Sequence, residues 1–540
     1  MSLLGTGSSL GVFASNRSTL VEFRHPSLAL EGLMSLSRRT LLEKAGLAVA
    51  GTALRRSPVA RFAVQATAPD VEQWGIFETS YPGPANGNPF VDVEFSATFE
   101  HAKRSVSTSG FYDGDGLYRV RFMPDAIGPW TYRTQSNRPE LDGKTGSFVV
   151  RAAAPHNHGP VRVADQYRFV YADNTPFREL GTTCYAWTSQ PRALEEQTIK
   201  TLSTAPFNKM RMCVFPKWFN YNHVEPPQYP FAGHEPNRWD FTRFNPAYFQ
   251  HLEGRIGQLR DMGIEADLIL FHPYDAGHWG FDNMGSANDD RYLRYLIARL
   301  SAYRNVWWSL ANEWDYFKTK TADDFERLGQ VVAKSDPYKH LCSIHNQTKF
   351  FDQSRPFITH VSVQNDMPDN APKYIRQYGK PVIFDECRYE GDVPEGWGDI
   401  SAERLVGNFW KTLVEGAFCG HGETYLNPRE ELWWSKGGVL VGQAPARLKF
   451  YRDVIEAAPA KATVLGERNT WGVEGEYYLT YLWDRQHATQ GYKLPVGDRF
   501  KADIIDTLAM TITPVPGTFS GNVDISLPIK PYLAIRVTRA

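Results

Sequence analysis

Between about residue 175 and residue 460 the chain alternates short apolar runs with stretches of helical periodicity, and this rhythm constrains the fold more than any other feature. The runs fall near 178–186, 207–214, 265–271, 305–311, 341–345, 358–364, 381–385 and 416–425. Eight β/α units is the number that closes a parallel barrel. One unit can be read residue by residue. Asn245 is placed to cap a helix with Pro246 at its first position, Phe249, Leu252, Ile256 and Leu259 follow at helical spacing, and Gly263 stops it just before the strand at 266–271. Residues 215–244 are rich in Pro, Asn, His and aromatics and carry no periodicity, which predicts a long loop over an active site.

Both flanks read differently. From Pro89 to Glu100 apolar and polar residues alternate strictly, the pattern of a half-buried antiparallel strand, and Asp113-Gly114-Asp115-Gly116 supplies a turn. Residues 72–152 read as an N-terminal β-sandwich, Ala153 to Pro160 as a linker, 160–461 as the barrel, and 462–540, where alternation returns, as a second sandwich. The expected fold is therefore multidomain: a (β/α)8 TIM barrel flanked by N-terminal and C-terminal antiparallel β-sandwich domains.

Ser37-Arg38-Arg39-Thr40-Leu41-Leu42, followed by a small-residue apolar stretch to Leu54, resembles a twin-arginine export signal. On this reading residues 1–68 are a signal region, the first 33 stem from a misassigned start at which Met34 is the true one, and the mature protein is exported to the periplasm or secreted. The five cysteines, Cys184, Cys213, Cys342, Cys387 and Cys419, lie in or beside different apolar runs without a Cys-x-x-Cys pair. Buried free thiols are expected, with no disulfide in the barrel and no metal site.

Composition removes several function classes. Lys plus Arg number 59 against 60 Asp plus Glu, so there is no global positive field to attract nucleic acid. No apolar run reaches the roughly 20 residues of a membrane span. With 15 Trp, 26 Tyr and 32 Phe, 14% of the chain is aromatic, which suits both cores and sugar-stacking surfaces.

The chemistry lies at two strand ends. Asn305 to Trp314 is a buried run that closes on Asn312-Glu313, and Pro381 to Glu386 is another that closes on Asp385-Glu386. Carboxylates ending strands four and seven face each other across a barrel mouth, and acetal hydrolysis needs two carboxyl groups, one held protonated and one ionised. Taken singly, Glu313 also suits a strand-end salt bridge and Glu386 the N-terminus of a helix. Strand alternation sends only one of Asp385 and Glu386 into the mouth, and Glu386 is the preferred one.

Leu310-Ala311-Asn312-Glu313 and Ile383-Phe384-Asp385-Glu386 resemble the catalytic strands of cellulase-like retaining glycoside hydrolases. More narrowly, residues 72–540 resemble bacterial apiosidase-like glycosidases, through Gly110-Phe111-Tyr112-Asp113-Gly114, Gly181-Thr182-Thr183-Cys184-Tyr185-Ala186-Trp187 and Ile505-Asp506-Thr507. The resemblance implies that Glu313 is the general acid/base, Glu386 the nucleophile, Asn312 a donor to the sugar hydroxyl beside the reacting carbon, and Arg211 a cation bonded to the nucleophile. His272 and His345, which end the third and fifth strands, and Tyr185, Trp187, Tyr389 and Trp433 are the expected substrate-binding residues, although either histidine also suits a structural role. No cofactor is implied. The expected activity is retaining hydrolysis, without metal, of a β-linked oligo- or polysaccharide from its end, with the two carboxyl groups about 5 to 5.5 Å apart. A non-catalytic carbohydrate-binding protein and a polysaccharide lyase are the alternatives.

Overall fold

The computed structural model describes residues 70–466 and 469–540. The proposed signal region lies outside the described residues. Within them, eight parallel strands form one sheet: Gly181–Thr183, Lys209–Cys213, Glu265–Ile269, Val306–Ser309, Cys342–Ser343, Val361–Gln364, Val382–Glu386 and Phe418–His421. These are the first to eighth barrel strands, each inside or beside one of the apolar runs of the sequence. Neighbours pair in sequence order, and the eighth returns to the first through Gly181 opposite Gly420. Strands five and six meet only at the bridge between His345 and Ser362, so the barrel is nearly closed.

Seven helices among the described residues cover the sheet: Arg192–Leu202, Pro246–Asp261, Ser286–Leu300, Ala322–Ser335, Ala371–Tyr378, Ala402–Val414 and Ala444–Glu456. The connection between strands five and six contains no helix, one fewer than eight full β/α units require. Asn245 caps its helix as the sequence predicts, accepting from the Ala247 amide. Even-numbered residues of the second and third strands, such as Met210, Met212, Ala266 and Leu268, pack into the apolar shell beneath the helices, while Lys209, Arg211, Glu265 and Asp267 point into the barrel. The bottom of the barrel is plugged by Trp307, which packs with Phe169 and Phe177 from a small antiparallel sheet, Val161–Asp165, Arg168–Tyr171 and Pro176–Phe177.

Residues 70–151 form a five-stranded and a three-stranded sheet around Phe77, Phe99, Trp130 and Phe148. Here the strict alternation at 89–100 misleads. Pro89–Asp92 is a short helix, with Pro89 at its first position, and the strand begins only at Phe95. Val91, expected on the buried face, is 46% exposed. Proline's fixed φ at the first helical position favours a helical turn over extension of the strand, and the Asn88 backbone amide donating to the Asp92 carboxylate at 2.7 Å closes it. The C-terminal residues form a six-stranded sheet and a two-stranded one around Tyr478, Phe500, Leu533 and Ile535.

All five cysteines are buried and free. The sequence reading kept them apart because they lie in different runs, but strands seven and eight are neighbours. The sulfurs of Cys387 and Cys419 consequently lie 2.9 Å apart, so separation along the chain is no argument against their pairing.

Candidate active site

Glu386 ends the seventh strand. By alternation it would turn outward like Phe384, which joins the shell under the helices, whereas Asp385 would turn inward. Both in fact reach the interior, at different depths. The pairing register with the sixth strand slips between Ser362 and Gln364, leaving Glu386 opposite Gln364, and the slip rotates Glu386 into the mouth. Asp385 sits one layer lower, 2.7 Å from the Lys209 ammonium, which also lies 3.1 Å from Glu179 and 3.5 Å from Asp267. The expectation that only one of the two faces inward is therefore corrected: alternation fails where the ladder is bulged.

Glu313 reaches the mouth through a second irregularity. The fourth strand ends at Ser309, and Glu313 has a left-handed backbone, φ 45°. For a residue with a β-carbon this conformation costs about 1 kcal/mol or more, and it is held by its neighbours: the Trp314 amide donates to the His345 carbonyl at 3.0 Å, and the His345 amide donates to that of Ala311 at 3.0 Å.

Two tyrosines tie the glutamates together. The Tyr274 hydroxyl donates to Glu313 at 2.6 Å and accepts from the Asn312 amide group at 2.5 Å. The Tyr185 hydroxyl donates to Glu386, and Arg211 donates both to Tyr185 at 3.1 Å and to Glu386 at 3.2 Å. His345 stands 3.5 Å from Glu386 through Nε2. Its Nδ1 lies 2.9 Å from Ser362, whose hydroxyl donates to Asp385. Since that hydroxyl gives its proton to Asp385, it accepts from Nδ1, which leaves Nε2 as a buried acceptor beside Glu386.

The two carboxyl groups are pushed in opposite directions. Burial, reinforced by the charge of Glu386, raises Glu313 to about 7 against the opposing bond from Tyr274. Burial would also raise Glu386, but His345 when it is protonated, and at every pH the Arg211 cation and the Tyr185 hydroxyl, pull the other way and hold the group below the ordinary carboxyl range. Of these, Arg211 is the permanent cation. Burial and the charge of Arg211 depress His345 itself to about 4, so it is neutral when Glu313 titrates.

Of the residues singled out in the sequence, Glu313, Glu386, Asn312, Arg211, His345 and Tyr185 converge here, and the Tyr389 hydroxyl lies toward Glu386 without reaching hydrogen-bond geometry. Three do not. Trp187 enters a 3-10 turn right after the first strand and turns outward, where its indole donates to Met212 Sδ at 3.2 Å under the Arg255 side chain. Trp433 likewise faces the shell and donates to Thr182 at 2.8 Å. Its neighbour Trp434 takes the expected place, 5.5 Å from the Tyr185 ring. His272 is spent on structure: Nδ1 accepts from the Tyr274 amide, Nε2 lies 3.3 Å from the Phe215 carbonyl, and its ring stacks on Tyr274. It supports Tyr274 from behind.

The sequence reading missed Tyr274 and Lys217. Tyr274 lies two residues beyond the singled-out His272, so strand-end position was the available signal. Lys217 lies in the long loop predicted over the site, where lysine gives no motif. Metal-ligand side chains do gather at one place among the described residues, Glu390, His421 and Glu423, with ligand atoms within 4.8 Å of one another. The carboxylates are already engaged. Four successive amides donate to them, Val441 and Gly442 to Glu423 and Gln443 and Ala444 to Glu390, which clamps the start of the last helix. This is the bonding expected of a helix N-terminus.

Residues 164–428 match the family model of the apiosidase-like catalytic domain. A candidate glycoside hydrolase from Bacteroides vulgatus is 42% identical, superposes with a TM-score of 0.84, and aligns over 87% of this chain and all of its own. The chain belongs to the apiosidase-like glycoside hydrolases. A family 5 glycoside hydrolase from the same species shares the fold at 16% identity, with a TM-score of 0.54 over 72% of this chain and 95% of its own. Residues 70–137 and 467–538 of this apiosidase-like chain match two domains of unknown function, DUF5060 and DUF5605. No curated protein matches the chain. Among the described residues no helix is long and apolar enough to cross a membrane.

Proposed function

We propose that this glycoside hydrolase works by double displacement, with Glu386 as the nucleophile and Glu313 as the acid/base. The observation that carries the reading is the opposite tuning of two glutamates on one hydrogen-bonded network. Arg211 and Tyr185 keep Glu386 ionised for attack on the anomeric carbon, while burial keeps a proton on Glu313 for the leaving oxygen. After the glycosyl-enzyme forms, Glu313 as carboxylate takes a proton from the incoming water. Asn312, held by Tyr274, presents its amide to the sugar, and His345 stands beside the nucleophile. Trp434 supplies an apolar wall. The substrate class is a β-linked oligo- or polysaccharide, attacked at a chain end.

The stereochemistry tests this directly. Proton NMR of the first-formed product must show retained configuration, and inversion overturns the reading. Glu386→Ala is expected to abolish turnover. Glu313→Ala is expected to fail on poor leaving groups, keep a fast first step on activated aryl glycosides, and turn over again with azide to give a β-glycosyl azide. Export by the twin-arginine route completes the proposal, and N-terminal sequencing of exported protein checks it: a terminus near Pro69 supports it and one at Met1 or Met34 refutes it.

A further inference from the structure

One buried charge beside the glutamates has no part in these steps. Lys217 is 0% exposed, and its ammonium has no hydrogen-bond partner. Four rings enclose the nitrogen, with centroids 3.9 Å away for Trp434, 4.4 Å for Tyr185, 5.0 Å for Tyr274 and 5.3 Å for Phe219. Its backbone is pinned by the Trp218 amide donating to the Tyr274 carbonyl at 2.8 Å and by the Asn222 side chain donating to the Lys217 carbonyl at 2.6 Å. An ammonium with three unused N–H groups is expensive to bury, and a methionine would fill the same cage without that cost. Packing alone does not account for a lysine here.

The cage itself indicates what the charge does. Two of its walls are the phenol rings whose hydroxyls donate to the glutamates, Tyr185 to Glu386 and Tyr274 to Glu313. A cation against the face of a phenol is attracted by its π density and draws that density inward, which makes the O–H a stronger donor. We infer that Lys217 is a positioning residue that acts on both glutamates through Tyr185 and Tyr274. The inference rests on the proposed roles of that pair. The groups facing the ammonium are Cys213 on the second strand, Tyr185, Tyr274 with His272 behind it, and Glu313 and Glu386 beyond the rings. Burial lowers Lys217 to about 8 against the pull of Cys213 and the glutamates, so it remains a cation while Glu313 titrates near 7.

The sign of the effect follows. Direct attraction and stronger tyrosine donation both favour the carboxylate form of each glutamate, so removing the charge raises both ionisations. The whole bell-shaped profile of kcat/KM then moves to higher pH.

The test compares wild type, Lys217→Met and Lys217→Arg on one 4-nitrophenyl glycoside that the wild type hydrolyses, together with melting temperatures. The bell of Lys217→Met is expected about one pH unit higher, with an equal or higher melting temperature, and Lys217→Arg is expected to restore the wild-type position. Carboxyl carbon-13 NMR titration, assigned with Glu313→Gln and Glu386→Gln, reads the same shifts without substrate. Unmoved ionisations, with a lower melting temperature as the only change, would overturn the inference and leave a packing role. If Glu313→Gln and Glu386→Gln stay active, the catalytic assignment fails instead, and the NMR titration still decides what Lys217 does to the two carboxyls.

Discussion

Replacing Glu313 by Gln tests whether the site stores free energy in a carboxyl group held away from its ordinary ionisation. In the folded protein burial, followed by the charge of Glu386, raises Glu313 from 4.5 to about 7. Between those values the native state holds a proton that the unfolded chain has released, so stability falls as pH rises through this window and stays lower above it. A displacement of about 2.5 units corresponds to about 3 kcal/mol at pH 8, at 1.36 kcal/mol per unit. Glutamine never ionises, and its oxygen can still accept from Tyr274, so the variant escapes this cost. Glu313→Gln is therefore expected to melt a few degrees above wild type at pH 8 and within about a degree of it at pH 4.5. Scanning calorimetry at both pH values measures the difference of differences, which cancels any contribution of packing. An equal gain at both pH values, or a loss at pH 8, would show that Glu313 is not held protonated by its surroundings, and the acid assignment would lose its physical basis.

Arg211→Met removes the permanent cation beside Glu386, and kcat/KM is expected to fall about 100-fold while its acidic limb moves to higher pH; a fall without movement of that limb contradicts the account. Both indoles are buried, so Trp433→Ala and Trp434→Ala should each cost stability, about 3–5 kcal/mol for Trp433, which fills the shell, but only Trp434→Ala should also lower kcat/KM at a temperature where both variants are folded; an unchanged kcat/KM for Trp434→Ala would mean that its face is misassigned. Titration of thiols in denaturant should give five per reduced chain and three after the reduced chain is refolded in the presence of a small disulfide, whose reduction takes up the two electrons, with peptide mapping locating the bond at Cys387–Cys419; five thiols after such refolding would rule that pair out.

The elements of this fold that follow a period were legible in the sequence, and the site depends on the places where the period breaks. Eight apolar runs located eight strands, because the face of each strand that lies under the helices must be apolar, even where the inner face carries charges such as Lys209, Arg211, Glu265 and Asp267. Glu313 and Glu386 were found because they end two such runs. How they reach the mouth was not readable: one uses a register slip beside Ser362, the other a left-handed residue, and neither has a local sequence signature. The aromatic assignments failed for a related reason. Trp433 and Trp434 are adjacent in a short helix, Trp433–Lys436, where consecutive side chains point about 100° apart, so position in the loop does not tell which indole turns toward Tyr185 and the glutamates. Tyr274 carries no motif of its own beside the more ionisable His272, yet once His272 is buried with both nitrogens engaged by backbone groups it is left as a support. Such buried supports are defined by atomic partners that a sequence does not list. Lys217 is another, since its nitrogen finds aromatic faces but no acceptor. A chain selected for stability alone would replace that ammonium with a methyl group, so the retained charge argues that the electrostatics of the two glutamates, more than the packing around them, fix the residue at this position.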